Sequence, residues 1–515
     1  MEQLKAKVDG GATASPSRRD PQLVIVLIAA IPVLVRLIYA WNYPGADDAF
    51  IYLSIVRNVI AGHGWGLLPG VTVNLATSPL FAFLGVGIGL ITPHILVGGV
   101  ILSFAATMLG IYGVYLFSKR LTQDAGARIA VTAAAALNVN LWRWSGTFME
   151  AALAWSAAVF LVFWFWCITQ KAERRTVLDN FLLGVGLGVA TLLRPELGLF
   201  GGVFFLHDLM NDRRDIVRRQ LASALGLAVA LVPYIVWAVG VYGSPLPTTL
   251  GAKSGGHLPV LSPKVALDLF IVIVTSAPAV IAVGIAALGA TVYCRQYRGL
   301  AAGVRRYAVL FLVPLAGLAF YLIIFEYMQS AARYFLPFTA TLPMLLVPFG
   351  SRIRSVFASR ARLVNRAIAA ALAAQGIAAV ALFQTVLAPV LRHMWSDYVQ
   401  TMVAAAARAD QLCSPGDGLL VVWDIGVVSN HLKTCRLIDA GALADPDLKG
   451  LSLAQMVDVR KPRFVLETLG TDQNKAVTQI GSNYRLVLVW ARQFRSHGIS
   501  TAGEEYTARI FEIAQ

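Results

Sequence analysis

The run Leu23-Val24-Ile25-Val26-Leu27-Ile28-Ala29-Ala30-Ile31-Pro32-Val33-Leu34-Val35-Arg36-Leu37-Ile38-Tyr39-Ala40 decides how the chain is read. It is too long for the core of a signal peptide, and no small-residue cleavage site follows it. It therefore reads as a retained first membrane helix. The polar stretch Tyr43-Pro44-Gly45-Ala46-Asp47-Asp48-Ala49-Phe50-Ile51 comes next, at what this reading makes a membrane surface. Neighbours on a helix diverge by about 100°, so Asp47 and Asp48 cannot both face one point there. One carboxylate is expected to do chemistry and the other to orient or support it. The plainer alternative is a solvated loop with an Asp cap ahead of Ala49-Phe50-Ile51-Tyr52-Leu53.

Composition widens the first helix into a fold class. The 515 residues are 57% hydrophobic and 14% charged, with a mean hydropathy of +0.67. A soluble domain does not need that much apolar residue, and the chain reads as a polytopic α-helical membrane protein. The net charge of +15 does not point to nucleic acid. Lys and Arg lie in short clusters between apolar runs, which is the positive-inside pattern that sets orientation.

Residues 1–21, with Lys5, Lys7, Arg18 and Arg19, read as a cytoplasmic tail, and 22–390 as the membrane domain, with a first outer loop at 41–78. Residues 50–61 have an apolar face and read as an amphipathic helix on the membrane surface. Residues 79–118 could cross twice, but Lys119, Arg120 and Arg128 favour one full crossing plus a shallow or re-entrant piece at 79–92. Further crossings are expected at 129–145, 151–168, 177–193, 197–209, 221–241, 266–290, 307–325, 334–350 and 367–390. That makes about eleven and leaves the C-terminus outside. Residues 391–515 change character. Strand-like runs appear at Leu419–Trp423, Phe464–Glu467, Leu486–Val489 and Arg509–Ile513, with helical stretches between some of them at 395–411 and 452–458, giving a small extracytoplasmic α/β domain. If that domain is outside, Cys413 and Cys435 could pair. Asp424-Ile425-Gly426 is too short to count as a phosphate-binding fingerprint.

This topology gathers Asp47, Asp48, Glu150, Arg194, Glu196, Lys253, His257, Glu326 and Arg333 at outer helix ends. Ionisable residues at membrane depth are costly and mark functional sites. Acids and bases together suit group transfer, with a carboxylate as general base on an acceptor hydroxyl and arginine on a phosphate leaving group. Apolar grooves between helices would hold a lipid tail.

Several motifs in order carry a family resemblance. Asp47-Asp48-Ala49-Phe50-Ile51, Arg57-Asn58, Gly62-His63-Gly64 and Thr77-Ser78-Pro79-Leu80 resemble the first outer loop of GT-C polyprenyl-phosphate-dependent glycosyltransferases. They are most similar to the branch that adds terminal arabinofuranose to arabinan. Ser145-Gly146-Thr147-Phe148-Met149-Glu150, Arg194-Pro195-Glu196, Gly243-Ser244-Pro245-Leu246-Pro247-Thr248-Thr249 with Ala252-Lys253, and Arg333-Tyr334-Phe335-Leu336-Pro337 resemble further elements of that branch, in the right order. Asp424-Ile425-Gly426 and Leu437–Leu443 look like its outer-domain strands. Two departures are Thr248, where the family usually has Asn, and the inserted Thr147-Phe148.

The resemblance implies a polyprenyl-phosphate sugar donor and an acceptor hydroxyl on a glycan, lipid or protein. It also implies inverting transfer with Asp47 or Asp48 as base, Asp47 being the favoured choice. Arg194, Lys253 and Arg333 are candidates for the donor phosphate. Glu150 and Glu196 would bind sugar hydroxyls or pair with those cations. Trp65, Trp142 and Trp144 would stack on sugar or sit as interfacial residues. His63 and His257 read as loop packing rather than ligand contacts. A divalent cation on the paired aspartates stays open, with no other ligand at a confirming spacing. Alternatives are the same fold acting on mannose or another sugar, a transporter or flippase for a lipid-linked sugar, and a non-catalytic scaffold. The transporter reading lacks a convincing inverted repeat.

Overall fold

The computed structural model describes residues 22–40, 45, 47–171, 175–248, 261–294, 300–325, 330–422, 424–470, 480, 484–495 and 505–514. Five helical runs among them are long and apolar enough to cross a membrane alone: Gln22–Ala40, Ile95–Leu121, Ala151–Thr169, Ile216–Tyr242 and Ala358–Leu412. Two bent pairs, Pro263–Ser276 with Pro278–Tyr293 and Ala331–Thr339 with Leu342–Val356, raise the number to seven. Only 11% of the apolar window of Ile216–Tyr242 is buried within the protein, so that surface needs lipid as its solvent. The chain is an integral membrane protein.

The structure breaks several segments expected to run straight. The expected crossing at 266–290 is two helices meeting at 91°. Ala277, outside the helical region at φ −150° and ψ 54°, precedes Pro278, the first residue of the second helix. A residue before proline is driven out of the helical region, and the missing N–H cannot continue the ladder. The segment 129–145 likewise splits into Ala125–Ala136 and Val139–Trp144. Asn138 restarts the helix by accepting the amides of Asn140 and Leu141 at 3.0 and 3.3 Å. Residues 79–118 form a helix of 13 residues, Pro79–Ile91, and one of 27, Ile95–Leu121. At 1.5 Å per residue the first is too short to span and the second is long enough, which fits one crossing and a shallow piece.

The helix Asp47–Ile60 departs furthest from expectation. It does not lie open on a surface: every residue from Ala49 to Val56 is buried. Asp47, Ser54 and Arg57 face a second layer of protein, the C-terminal domain, while Asp48 and Asn58 bond within the membrane domain. The helix at the expected boundary, 390/391, is continuous. Ala361–Leu382, Ala388–His393 and Gln400–Leu412 follow one another through π-type turns, so a single helical run carries the membrane domain into the C-terminal one.

That domain is built on a mixed sheet of β1 (Gly418–Val422), β2 (Arg436–Asp439), β3 (Phe464–Gly470), β4 (Arg485–Arg495) and β5 (Glu505–Ala514), ordered β2-β1-β3-β5-β4. β1 pairs in parallel with β2 and β3, through crossovers holding the helices Ile425–His431 and Leu453–Arg460. The pairs β3–β5 and β5–β4 are antiparallel. All five residues of β1 are buried, as a central strand covered on both faces requires. Cys413 and Cys435 are disulfide-bonded, closing the long helical run onto the start of β2.

Candidate active site

The site is built at helix ends, and local sequence explains each position. Gly45 turns the chain into the helix Asp47–Ile60 at φ +147°, and a Cβ there would come within 2.6 Å of Ala49 Cβ. Asp47 and Asp48 fill the first turn, where the helix dipole favours carboxylates. Glu150 is the residue before the helix Ala151–Thr169. Arg194 ends the helix Val177–Leu193 in an extended conformation set by Pro195, and Glu196 follows in a single 3₁₀ turn. Arg333 lies in the one-turn helix Ala331–Phe335.

These side chains form one connected chain of charge. Arg333 bonds Asp48 through Nη1 and reaches Glu150 Oε1 at 3.1 Å through both Nε and Nη2. Glu150 Oε1 is also 3.3 Å from Arg194 Nη1. Arg194 contacts Glu196 Oε1 at 3.3 Å and donates to the carbonyl of Arg333 at 3.1 Å. Tyr321 closes the chain by donating to Glu196 Oε1 and to the carbonyl of Tyr334. The Tyr334 ring lies under both guanidinium groups, at 5.0 and 5.5 Å. Arg194, Arg333 and Glu150 are buried, whereas the Asp48 side chain is 42% exposed. Glu150 Oε2 is buried with no hydrogen-bond partner. So Glu150 and Glu196 pair with the arginines, one of the two roles open to them from the sequence.

Asp47 points elsewhere. Its Oδ2 accepts the amide of Gly426 at 2.8 Å, and Oδ1 accepts that of Val427 at 2.9 Å and the Tyr398 hydroxyl at 3.3 Å. Burial, then Asp424, push its carboxyl up to about 8, with a smaller push from Asp48, against the pull of the two amides. The 100° divergence of neighbouring helical side chains thus separates the pair: one carboxylate meets the C-terminal domain and the other the arginines. The two carboxylates serve different partners, and among the described residues no group of three or more His, Cys, Asp or Glu is placed to hold a metal ion.

The remaining candidates divide. Lys253, His257 and Glu326 lie outside the described residues. Trp142 and Trp144 are buried core residues, Trp142 donating to the carbonyl of Ala136 at 2.6 Å. Trp65 packs edge-on with Phe83 and Trp237. His63 is exposed in its loop. Thr248 joins two segments, its amide bonding the Asn74 carbonyl at 2.9 Å and its hydroxyl the Leu443 carbonyl at 2.9 Å.

Sequence reading missed Arg36, Tyr321 and Tyr398, and named Tyr334 only as part of Arg333-Tyr334-Phe335-Leu336-Pro337. Arg36 is buried in the first helix and donates to the carbonyls of Ser145 and Gly146 at 2.8 and 3.2 Å, fixing the segment that leads to Glu150. A lone arginine inside an apolar run was the available signal. Tyr321 and Tyr398 carry none, being ordinary apolar-phase residues until their partners are known.

No family model matches the chain. Two curated relatives are named terminal beta-(1->2)-arabinofuranosyltransferase. The Corynebacterium glutamicum protein is 25% identical over 276 residues, covering 49% of this chain and 40% of that protein. The Mycobacterium tuberculosis protein is 29% identical over 218 residues, covering 40% and 34%. The matches thus span about two-fifths or less of these relatives' length. Among solved structures, ArnT from Cupriavidus metallidurans bound to undecaprenyl phosphate superposes with a TM-score of 0.62 at 13% identity, over 94% of this chain and 97% of that one. The arabinofuranosyltransferase AftD from Mycobacteria gives 0.51 at 16% identity, over 95% of this chain and 40% of that one. The chain therefore has the GT-C fold of ArnT and AftD and is similar in sequence to terminal arabinofuranosyltransferases.

Proposed function

We propose that this protein is a membrane glycosyltransferase moving arabinofuranose from a polyprenyl-phosphate donor to a hydroxyl of an extracytoplasmic glycan, lipid or protein. The observation that carries this reading is Asp48: the most exposed member of an otherwise buried ion-pair chain, bonded to Arg333. A general base has to meet solvent-borne acceptor, and a phosphate-binding cation has to stand beside it. Asp48 and Arg333 combine the two. Asp47 has both its oxygens engaged by backbone amides of the C-terminal domain, so it is less free than Asp48 to reach an acceptor hydroxyl.

In the transfer, Asp48 takes the proton of the acceptor hydroxyl. The hydroxyl oxygen forms a bond to the anomeric carbon as the bond from that carbon to the phosphate oxygen breaks on the opposite face. The electron pair stays with polyprenyl phosphate, which leaves as a dianion, and the anomeric configuration inverts. Arg333 and Arg194 oppose the charge that develops on the leaving group. Glu150 holds both guanidinium groups ready before substrate arrives. Three carboxylates (Asp48, Glu150, Glu196) face two guanidinium groups in this chain, so an anionic donor calls for a further cation. Lys253 is the candidate for that charge.

The relatives' names and the undecaprenyl phosphate in the ArnT structure support the sugar and the carrier. The disulfide Cys413–Cys435 and the clustered arginines support an extracytoplasmic side for the C-terminal domain. Mass spectrometry of lipid that copurifies with the protein tests the donor. A polyprenyl-phosphate pentose is expected, and a polyprenyl-phosphate hexose in its place would replace the sugar assignment.

A further inference from the structure

The C-terminal domain touches the membrane domain along a seam centred on Asp47, and the seam is chemically specific. Beyond the two amides on Asp47, Ser54 and Ser429 place their hydroxyls 3.1 Å apart. Asn430 donates to the carbonyl of Phe50 at 2.6 Å and accepts from Arg57 at 2.8 Å. All these bonds join the helix Asp47–Ile60 to the helix Ile425–His431. Tyr398, buried on the long helical run and packed on Phe494 of β4, adds a third element at the same carboxylate.

The approach is close enough to dictate sequence. A Cβ on Gly426 would lie 2.2 Å from the Asp47 carbonyl oxygen and 3.0 Å from its Cγ, so only glycine lets the two helices meet there. Asp424 enters the turn in the left-handed region at φ +43°, which an aspartate tolerates better than most residues. The motif Asp424-Ile425-Gly426 thus has a structural use: it brings two backbone amides to a carboxylate on the first-loop helix.

We propose that Asp47 is a positioning residue, and that the C-terminal domain is a working part of the active site because it sets the first turn of the helix that carries Asp48. This rests on the reading of Asp48 as the base. The two aspartates share one turn of helix, so a shift of Asp47 on its amides moves Asp48 relative to Arg333. A displacement of about 1 Å in a reacting group is enough to cost roughly 10²-fold in rate. The C-terminal domain therefore acts on the chemistry without touching substrate through these residues.

A reversible covalent lock tests this. With Cys167 and Cys294 replaced by alanine, the pair S54C and S429C introduces thiols where two hydroxyls are in contact, within reach of a disulfide. The cross-link is expected to form under mild oxidation and to be read as a gel shift. Adding Asp47→Ala should slow its formation at least tenfold, because the seam has lost its central bonds. Asp47→Ala alone should lower transfer from polyprenyl-phosphate arabinofuranose about 10²-fold through kcat rather than KM. Oxidising the lock in that variant should restore transfer to within about fivefold of the locked parent, and reduction should remove it again. Failure of the parent pair to cross-link, an unchanged cross-linking rate in Asp47→Ala, or a formed lock that leaves Asp47→Ala inactive would each overturn the proposal. The cross-linking rates do not depend on which residue is the base. A failure of the Asp48 reading, seen as full transfer by Asp48→Asn, is therefore distinguishable from a failure of the seam.

Discussion

The helix Val177–Leu193 carries a buried cluster of charge at each end, and the two clusters differ in kind. At its N-terminal end Arg175 bonds both oxygens of Asp208, at 3.1 and 2.9 Å, with both side chains almost wholly buried. Arg219, His207 and Gln220 crowd the same carboxylate or its neighbours, and the Phe165 ring lies under Arg175. At its C-terminal end Arg194 enters the chain Asp48–Arg333–Glu150–Arg194–Glu196, which reaches solvent through Asp48 and leaves Glu150 Oε2 without a partner. The first cluster ties the helices Val177–Leu193, Leu199–Asn211 and Ile216–Tyr242, and reaches solvent through Asp212, which pairs with Arg219 and is 53% exposed. The second ends in an accessible carboxylate beside a cation, an arrangement that can accept a proton and face a phosphate. Both clusters are open at one carboxylate, so openness does not separate them; position does, since the second alone joins the helix turn that meets the C-terminal domain.

Substitutions at the two ends should separate stability from activity. Asp48→Asn is expected to reduce kcat by about 10²- to 10⁴-fold, the range for loss of a general base, with the melting temperature in detergent unchanged. Asp208→Asn should do the reverse. Removing one partner of a buried pair costs about 3–5 kcal/mol of stability, read as a lowered melting temperature, while transfer per folded molecule stays at the parent value. If Asp208→Asn lost activity without losing stability, the contrast between the two ends would be wrong. Arg333→Lys keeps the charge but loses the fork that spans Asp48 and Glu150. A fall of about 10- to 100-fold in kcat/KM is expected. Tyr321→Phe removes bonds to Glu196 and to the Tyr334 carbonyl. The single hydroxyl proton makes one full hydrogen bond at a time, worth about 1 kcal/mol, so a loss of less than tenfold should appear in a Michaelis–Menten assay.

A pH effect belongs to the seam. The Asp47 carboxyl faces Asp424 from the C-terminal domain, Asp48 from its own helix and Tyr398 from the long helical run. Its folded value of about 8 lies above the unfolded 3.8. The folded form therefore holds the extra proton between those values, and stability contributed by this group is full below about pH 4 and lost as pH rises through about 8. Hydrogen exchange at the Gly426 and Val427 amides, corrected for the intrinsic pH dependence of exchange, should show protection declining over that window. Asp47→Ala should abolish the decline.

Much of this was legible before any coordinates. The helical geometry of Asp47-Asp48 required the two carboxylates to diverge, and they do. Arg194-Pro195-Glu196 announced a helix end, because proline fixes the residue before it. Hydropathy misled where a proline should have overruled it, at Pro278, since an apolar average cannot register a missing N–H. The burial of the helix Asp47–Ile60 is not legible in the sequence because Asp47 meets a partner 379 residues away. The pairing of Glu150 with Arg333, 183 residues apart, is of the same kind. Residue types told which groups would seek a partner; only the fold says which partner was found. Asp424-Ile425-Gly426 was dismissed as too short for a phosphate motif, and its use depends on how closely another backbone approaches Gly426.

The most direct test of the account is a side-by-side measurement of arabinofuranose transfer by Asp47→Asn and Asp48→Asn, reconstituted in vesicles with a polyprenyl-phosphate arabinofuranose donor. Asparagine at 47 keeps an acceptor oxygen for one amide, and asparagine at 48 cannot take a proton. The account predicts transfer within about tenfold of the parent for Asp47→Asn and a loss of at least about 10²-fold for Asp48→Asn. The reverse order, with Asp48→Asn active and Asp47→Asn silent, would contradict it.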